Sequence, residues 1–173
     1  QNGKTFHLQI GGDYGATNLQ VKSFAVLYAS FSGDGNFMVD VTNVETGRKQ
    51  YLFNEIDNYS GAALIVGTGT YDVEIRADGN WDLNASALSV SDATSYSGYG
   101  SCVTDIIHPN NSKWKITNDG GSNFIVDIWS PSGSHDNLVN EIGPYSGVVS
   151  GYYYSGFFFE VISDGNWSIT PAE

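Results

Sequence analysis

The sequence has a single cysteine, Cys102, among its 173 residues. One thiol cannot close an intramolecular disulfide, so these residues must be held together by a hydrophobic core and by hydrogen bonds. We expect Cys102 to be a buried, unreactive thiol, and the alternative is a bridge between two subunits.

Basic residues are also scarce. Lys and Arg number 7 against 19 Asp and Glu, which gives a formal net charge of −12. This charge has the wrong sign for binding a phosphate backbone or an anionic membrane surface, so nucleic acid is not an expected partner. No apolar run approaches the roughly 20 residues that span a bilayer, and we expect no membrane insertion.

The composition favours a secreted location. Only 15% of the residues are charged, and Gly, Ser, Asn and Tyr are abundant, as in many secreted β proteins. The first residue is Gln1 rather than Met, which is what a cleaved signal peptide leaves, although a trimmed chain begins in the same way. We therefore expect an extracellular, cell-surface protein.

The chain contains an internal repeat. Three segments of the first half return in the same order in the second half, at a spacing of 86 or 87 residues. The matched segments are 36–41 with 123–128, 54–61 with 140–147, and 78–81 with 164–167. This repeat predicts two tandem domains, at residues 1–86 and 87–173.

Hydrophobic residues alternate with polar ones in each copy, which is typical of strands with one buried face. Phe37, Val39 and Val41 give one such run. Asp-Gly and Gly-rich turn signals separate the runs, and no segment keeps a helical period. The pattern predicts an all-β protein with about seven short strands per copy, arranged as two tandem antiparallel β-sandwich domains of jelly-roll or immunoglobulin-like type.

The recurring motifs have structural interpretations. In Asp-Gly-Asn-Trp, the Asp-Gly pair predicts a tight hairpin turn, and the Trp predicts a core anchor in the next strand. In Tyr-Ser-Gly, the Tyr hydroxyl is expected to form a hydrogen bond with the backbone of a turn where the chain changes sheet. The residues of this structural repeat motif are Asp78, Gly79, Trp81, Asp164, Gly165, Trp167, Tyr59 and Tyr145.

The order of these motifs, GDGNF, then NEIxxYSG, then ADGNW, resembles an uncharacterised tandem β-sandwich repeat family of secreted and cell-surface bacterial and archaeal proteins. The resemblance covers most of residues 14–83 and 99–169. It implies an extracellular location and a non-catalytic scaffold. The second copy departs from the pattern in its first loop, at residues 119–123.

No catalytic or metal signature stands out in the sequence. It contains neither HExxH nor G-x-S-x-G, and a dyad of Cys102 with His108 rests on composition alone. We therefore expect neither an enzyme nor a cofactor. A weaker interpretation places calcium near Asp34 and Asp119, because Ca²⁺ prefers carboxylate and carbonyl oxygens, but an Asp-Gly hairpin explains the same residues.

The two copies differ at outward-alternating positions, where the second copy replaces polar residues by apolar ones. Met38, Asp72 and Arg76 of the first copy align with Ile125, Phe158 and Ile162 of the second. A strand that is apolar on both faces is normally covered on both faces. The cover is either the other copy in the same chain, another subunit, or a carbohydrate.

These observations favour a secreted structural protein that self-associates into a filament, tube or surface layer, with copies of itself as partners. The alternative is a carbohydrate-binding (lectin-like) or adhesive module with a glycan as partner. The residues predicted to form the self-association interface are Ile125, Trp129, Tyr152, Tyr154, Phe158 and Ile162, with Phe6, Leu8 and Ile10 as a candidate pairing strand.

Overall fold

The all-β prediction is confirmed. The computed structural model describes residues 6–11 and 14–173, with side chains from Leu19 onward, and these residues form antiparallel strands and no helix. It follows that no helix in the described ranges is long and apolar enough to cross a membrane. The chain divides into two compact units, Gln1–Ala87 (unit 1) and Leu88–Glu173 (unit 2).

The described residues of unit 1 form six strands in one sheet. They are β1 (Phe6–Gly11), β2 (Tyr14–Val21), β3 (Phe24–Asn43), β4 (Lys49–Ile56), β5 (Tyr59–Val66) and β6 (Gly69–Ser86). The two long strands, β3 and β6, each change neighbours halfway along. Residues 24–31 of β3 pair with β5, and residues 36–42 pair with β4. Likewise the first half of β6 pairs with β2 and its second half with β1.

Unit 2, which is described in full, forms eight strands in two sheets. They are β7 (Tyr96–Tyr99), β8 (Cys102–Val103), β9 (Lys113–Asn118), β10 (Asn123–Trp129), β11 (His135–Ile142), β12 (Tyr145–Ser150), β13 (Phe158–Ile162) and β14 (Asn166–Pro171). The strand orders are β11-β10-β13-β8 in one sheet and β12-β9-β14-β7 in the other.

The repeat spacing relates the two units strand by strand. β9 and β10 align with the two halves of β3, and β13 and β14 align with the two halves of β6. Each strand pairing of unit 2 therefore has a counterpart in unit 1. Within the described residues, each unit has eight strand segments rather than about seven, because the two long strands of unit 1 count twice.

Each unit has its own hydrophobic core. In unit 2 both sheets contribute to a single buried cluster, with Trp114 and Trp167 from one sheet and Phe124 and Phe159 from the other. Trp81 occupies the corresponding position to Trp167 in the core of unit 1. These large aromatic side chains each contribute strongly to hydrophobic stabilisation, because burial energy scales with the apolar area removed from water.

The hairpin predicted at Asp-Gly-Asn-Trp is wrong. Asp78 and Gly79 lie inside the continuous strand β6, and Asp164 and Gly165 connect β13 to β14, which belong to different sheets. Neither glycine has a positive φ. The motif therefore marks a place where the chain continues forward to new strand neighbours, which in unit 2 belong to the other sheet, and not a place where it reverses.

A close backbone approach explains the glycine of this motif. A Cβ atom on Gly79 would collide with the carbonyl oxygen of Ser32, and one on Gly165 would collide with the backbone nitrogen of Gly120. The preceding aspartate also holds the facing segment, since Asn36 N donates a hydrogen bond to Asp78 Oδ2 at 3.0 Å. We call this arrangement the corner, and both units contain it.

The Tyr-Ser-Gly segment lies just after the chain leaves β4 for β5, or β11 for β12. Its tyrosine ring lies over the glycine two residues later, so that a Cβ atom on Gly61 or Gly147 would collide with the ring of Tyr59 or Tyr145. The Tyr71 hydroxyl also holds a turn, since it donates to the carbonyls of Gly67 and Val66, where β5 leads into β6, at 2.9 and 3.2 Å.

A glycine at position 57 is expected to stabilise unit 1 by about 0.5 kcal/mol, because Asp57 has a φ of 67°. The repeat places Gly143, with a φ of 88°, at the same position in unit 2. Gly143→Ala is the matched variant, and it should change stability in the opposite direction. It should cost about 1 kcal/mol through backbone strain alone, because a Cβ atom there meets nothing within 4 Å. Thermal unfolding of both variants checks the pair, and shifts in the same direction would contradict it.

Candidate interaction surface

Three pairs of directly opposed side chains lie on the outer face of β10 and β13. Four of the six residues belong to the predicted interface. The pairs are Ile125–Ile162, Asp127–Glu160 and Trp129–Phe158. Opposed residues of antiparallel strands point to the same side of the sheet. Two of these three pairs are apolar, and the pair of carboxylates lies between them on the same face.

One end of this face is apolar and exposed. Ile162 is 43% exposed, and Ile125 beside it is partly exposed. On the neighbouring strand β11, Ile142 lies diagonal to Ile125 on the same face, because it pairs with Asn123, and it is 80% exposed. We call Ile125, Ile142 and Ile162 the isoleucine patch. Unit 1 has Met38, Ile56 and Arg76 at these positions.

The two opposed carboxylates of unit 2, Asp127 and Glu160, accept hydrogen bonds from neutral donors. Asn137 Nδ2 donates to Asp127 Oδ1 at 2.8 Å, and Trp129 Nε1 donates to Glu160 Oε1 at 3.3 Å. Hydrogen bonds from neutral groups leave the two negative charges in place, so this part of the face is acidic.

The equivalent carboxylates of unit 1, Asp40 and Glu74, contact cations instead. Arg76 contacts Glu74 at 2.8 Å, and Lys49 lies 3.9 Å from Asp40. The hydrogen bond and charge of Arg76 hold the pKa of Glu74 below its ordinary value. The outer faces of the two units thus differ in charge although their strands pair in the same way.

Phe158 must be removed from the predicted interface. Its side chain is fully buried, so a partner molecule cannot contact it. Trp129, directly opposite, is partly buried and stacks on His135 with ring centroids 4.2 Å apart. Strand alternation places Phe158 on the outer face, as expected, but that end of the face is covered within the chain.

The two predicted tyrosines lie in the connection between β12 and β13. Tyr154 is 94% exposed, whereas Tyr152 packs edge-on against Phe157 with ring centroids 5.7 Å apart. Tyr153 between them donates its hydroxyl to Asp136 Oδ2 at 3.0 Å. Tyr154 is therefore the most accessible aromatic ring of the predicted set.

The candidate pairing strand at the start of the chain is already paired on one side. Phe6, Leu8 and Ile10 belong to β1, which runs antiparallel to residues 80–85 of β6. Their side chains lie outside the described residues. This backbone pairing ties β1 to its own unit, and β1 ends the order of strands on that side of the sheet.

The calcium candidates do not form a ligand cluster. Asp34 is exposed, and Asp119 accepts hydrogen bonds from the backbone and side-chain nitrogens of Asn166 at 2.6 and 3.0 Å. In the described ranges no three His, Cys, Asp or Glu side chains come together as metal ligands would. The Asp119 carboxylate therefore serves to close the corner of unit 2.

Cys102 is a free, half-buried thiol at the start of β8. Burial raises the pKa of this thiol above its ordinary value. A raised pKa favours the protonated, unreactive form.

Sequence reasoning missed Ile142, because it ends a strand and has no further alternation to mark its face. The sequence feature that could have identified it is the repeated Asn-Glu-Ile motif, in which Ile142 recurs at the position of Ile56. No protein-family model and no curated protein sequence matches the chain. The function must therefore be inferred from the chain's own geometry.

Proposed function

We propose that the protein is a secreted, non-catalytic structural protein that self-associates into an extracellular filament, tube or surface layer. We further propose that each unit is a β-sandwich, which the single core shared by both sheets of unit 2 supports. The extracellular location rests on the composition and on the family resemblance. The observation that best supports self-association is the isoleucine patch, which lies on the outer face of the sheet β11-β10-β13-β8.

The isoleucine patch has a physical reason to be covered. Each fully exposed isoleucine that becomes buried contributes about 1.5–3 kcal/mol before the costs of association. Ile142 and Ile162 retain much of that exposure in the single chain. The net charge of −12 makes copies repel each other, so salt should strengthen association by screening this repulsion.

Ile162→Arg is expected to weaken self-association at least about tenfold while leaving unit 2 folded, because it places a cation in the apolar contact. The variant copies Arg76, which unit 1 carries at the equivalent position. Light scattering over a concentration series, with electron microscopy of the assemblies, measures the effect.

Val44→Arg is the control, since Val44 is an exposed valine of unit 1 outside the patch. It should assemble like the wild type. Wild-type protein that stays monomeric at every concentration and salt level would overturn the proposed function. An Ile162→Arg variant that assembles normally would remove the patch as its basis.

Glycan binding is the second candidate, and one arrangement favours it. Trp129, Asp127 and Glu160 lie on one face, where an aromatic ring and carboxylate oxygens are the groups that bind sugar rings and hydroxyls. His135 already stacks on Trp129, so a sugar would have to use the other side of that ring or displace His135. A monomeric protein that binds specific sugars on a glycan array would favour this candidate over self-association.

A further inference from the structure

The four edge strands of unit 2 differ in how well they are protected against pairing with another chain. Natural sheets protect their edges with short strands, bulges or charged residues. β8 has only two residues and β7 only four. β11 carries a register shift against β10 and the charged residues Asp136 and Glu141. Three of the four edges therefore have a recognisable protection.

The fourth edge, β12, has none of these features. Its six residues, YSGVVS, pair with β9 in unbroken register and include no charge and no proline. Val148, at its centre, is 56% exposed. An uncharged, regular strand at the end of a sheet presents unpaired backbone donors and acceptors to a further strand.

The equivalent edge of unit 1 is closed by side chains. The Gln50 amide bonds both backbone groups of Val66 at the end of β5, at 2.9 and 3.0 Å. Ala62 and Leu64, which align with Val148 and Ser150, are buried. Unit 2 has Asp136 in place of Gln50, and its carboxylate accepts a hydrogen bond from the Tyr153 hydroxyl instead. The accessible edge thus belongs to unit 2.

We propose that β12 pairs antiparallel with β12 of a second copy, with Val148 opposite its own counterpart. This inference rests on the proposed function and names the strand through which copies join. Residues opposite each other in antiparallel strands must point to the same face. Pairing on Val148 satisfies this condition, because Ser146 then opposes Ser150 and the outward residues stay outward. The result is one continuous eight-stranded sheet across two copies.

Charge favours β12 over β11 as the strand through which two copies pair. The chain carries a net charge of −12, so two copies approach best along a segment without charge. Self-pairing of β11 would instead bring two carboxylates from each strand, Asp136 and Glu141, to the same seam. Such like charges across neighbouring strands are destabilising.

The test uses opposite charges at position 148 of the full chain. Val148→Lys and Val148→Glu should each raise the dissociation constant of the pair at least about tenfold, because each places two like charges face to face. An equimolar mixture should restore association to within about threefold of the wild type, through a Lys–Glu pair. Native mass spectrometry counts the mixed species, and light scattering follows their size.

Val90→Lys is the matched control, because Val90 is an exposed valine outside the strands of unit 2. It should associate as the wild type does. Circular dichroism establishes that each variant is folded. Independently, hydrogen exchange of the wild type should show added protection in the assembly for the β12 amides that point away from β9.

The outcomes separate the two proposals. Wild-type association that persists in both charged variants, with no added protection of β12, overturns the strand pairing and leaves the proposed function standing. Charged variants that are monomeric but do not recover on mixing overturn the pairing through Val148. A wild type that never associates overturns both.

Discussion

Trp114→Ala is expected to destabilise unit 2 by about 3–5 kcal/mol, the cost of removing a large aromatic side chain from a core. Trp114 is fully buried in β9, and its ring packs edge-on against Phe157 and Phe159, with ring centroids 5.8 and 5.2 Å apart. Its Nε1 also donates to the carbonyl of Gly151 at 2.9 Å. The truncation therefore leaves a cavity, lost aromatic contacts and a carbonyl without its donor.

Trp114→Leu separates these contributions, because Leu27 occupies the same position in unit 1 and is also fully buried. Leucine refills part of the cavity but cannot donate to Gly151, so its cost should lie between those of the wild type and the alanine variant. Calorimetry of the full chain measures both. Equal stability of the wild type and Trp114→Ala would contradict the packing of the unit 2 core.

The strand content was predictable because it depends on local pattern. Phe37, Val39 and Val41 are all buried, as their period of two requires. The hairpin at Asp78–Gly79 was not a sound prediction, because an Asp-Gly pair favours a tight turn in isolation. What decides the actual conformation is the approach of Ser32, which lies far away in sequence and carries no local signal.

The candidate surface was predictable in part for the same reason. Alternation along β13 correctly places Ile162 and Phe158 on one face, opposite Ile125 and Trp129. It cannot say that Phe158 is covered and Ile162 exposed, because cover comes from residues distant in sequence. The accessible edge at β12 was likewise hidden, since an edge is a property of strand order, which alternation does not contain.

Gly165→Ala is expected to destabilise unit 2 by about 1–3 kcal/mol or more, as overpacking does at a site that cannot relax. The added Cβ atom would lie 2.5 Å from Gly120 Cα and from Asp119 Oδ1, and closer still to Gly120 N. Most of these are backbone atoms, and the carboxylate is held by Asn166. The corner can therefore accommodate a methyl group only if the β9–β10 and β13–β14 connections move apart.

Gly121→Ala is the matched control in the same loop, because a Cβ atom there meets nothing within 4 Å and its φ is not positive. It should leave stability unchanged or raise it by about 0.4–1 kcal/mol, since alanine restricts the unfolded chain. Chemical denaturation of the two variants compares them directly. If the corner is tightly packed, only Gly165→Ala should lose much of the free energy of unfolding. Similar stabilities of the two variants would mean that close backbone contact does not require the glycine of Asp-Gly-Asn-Trp.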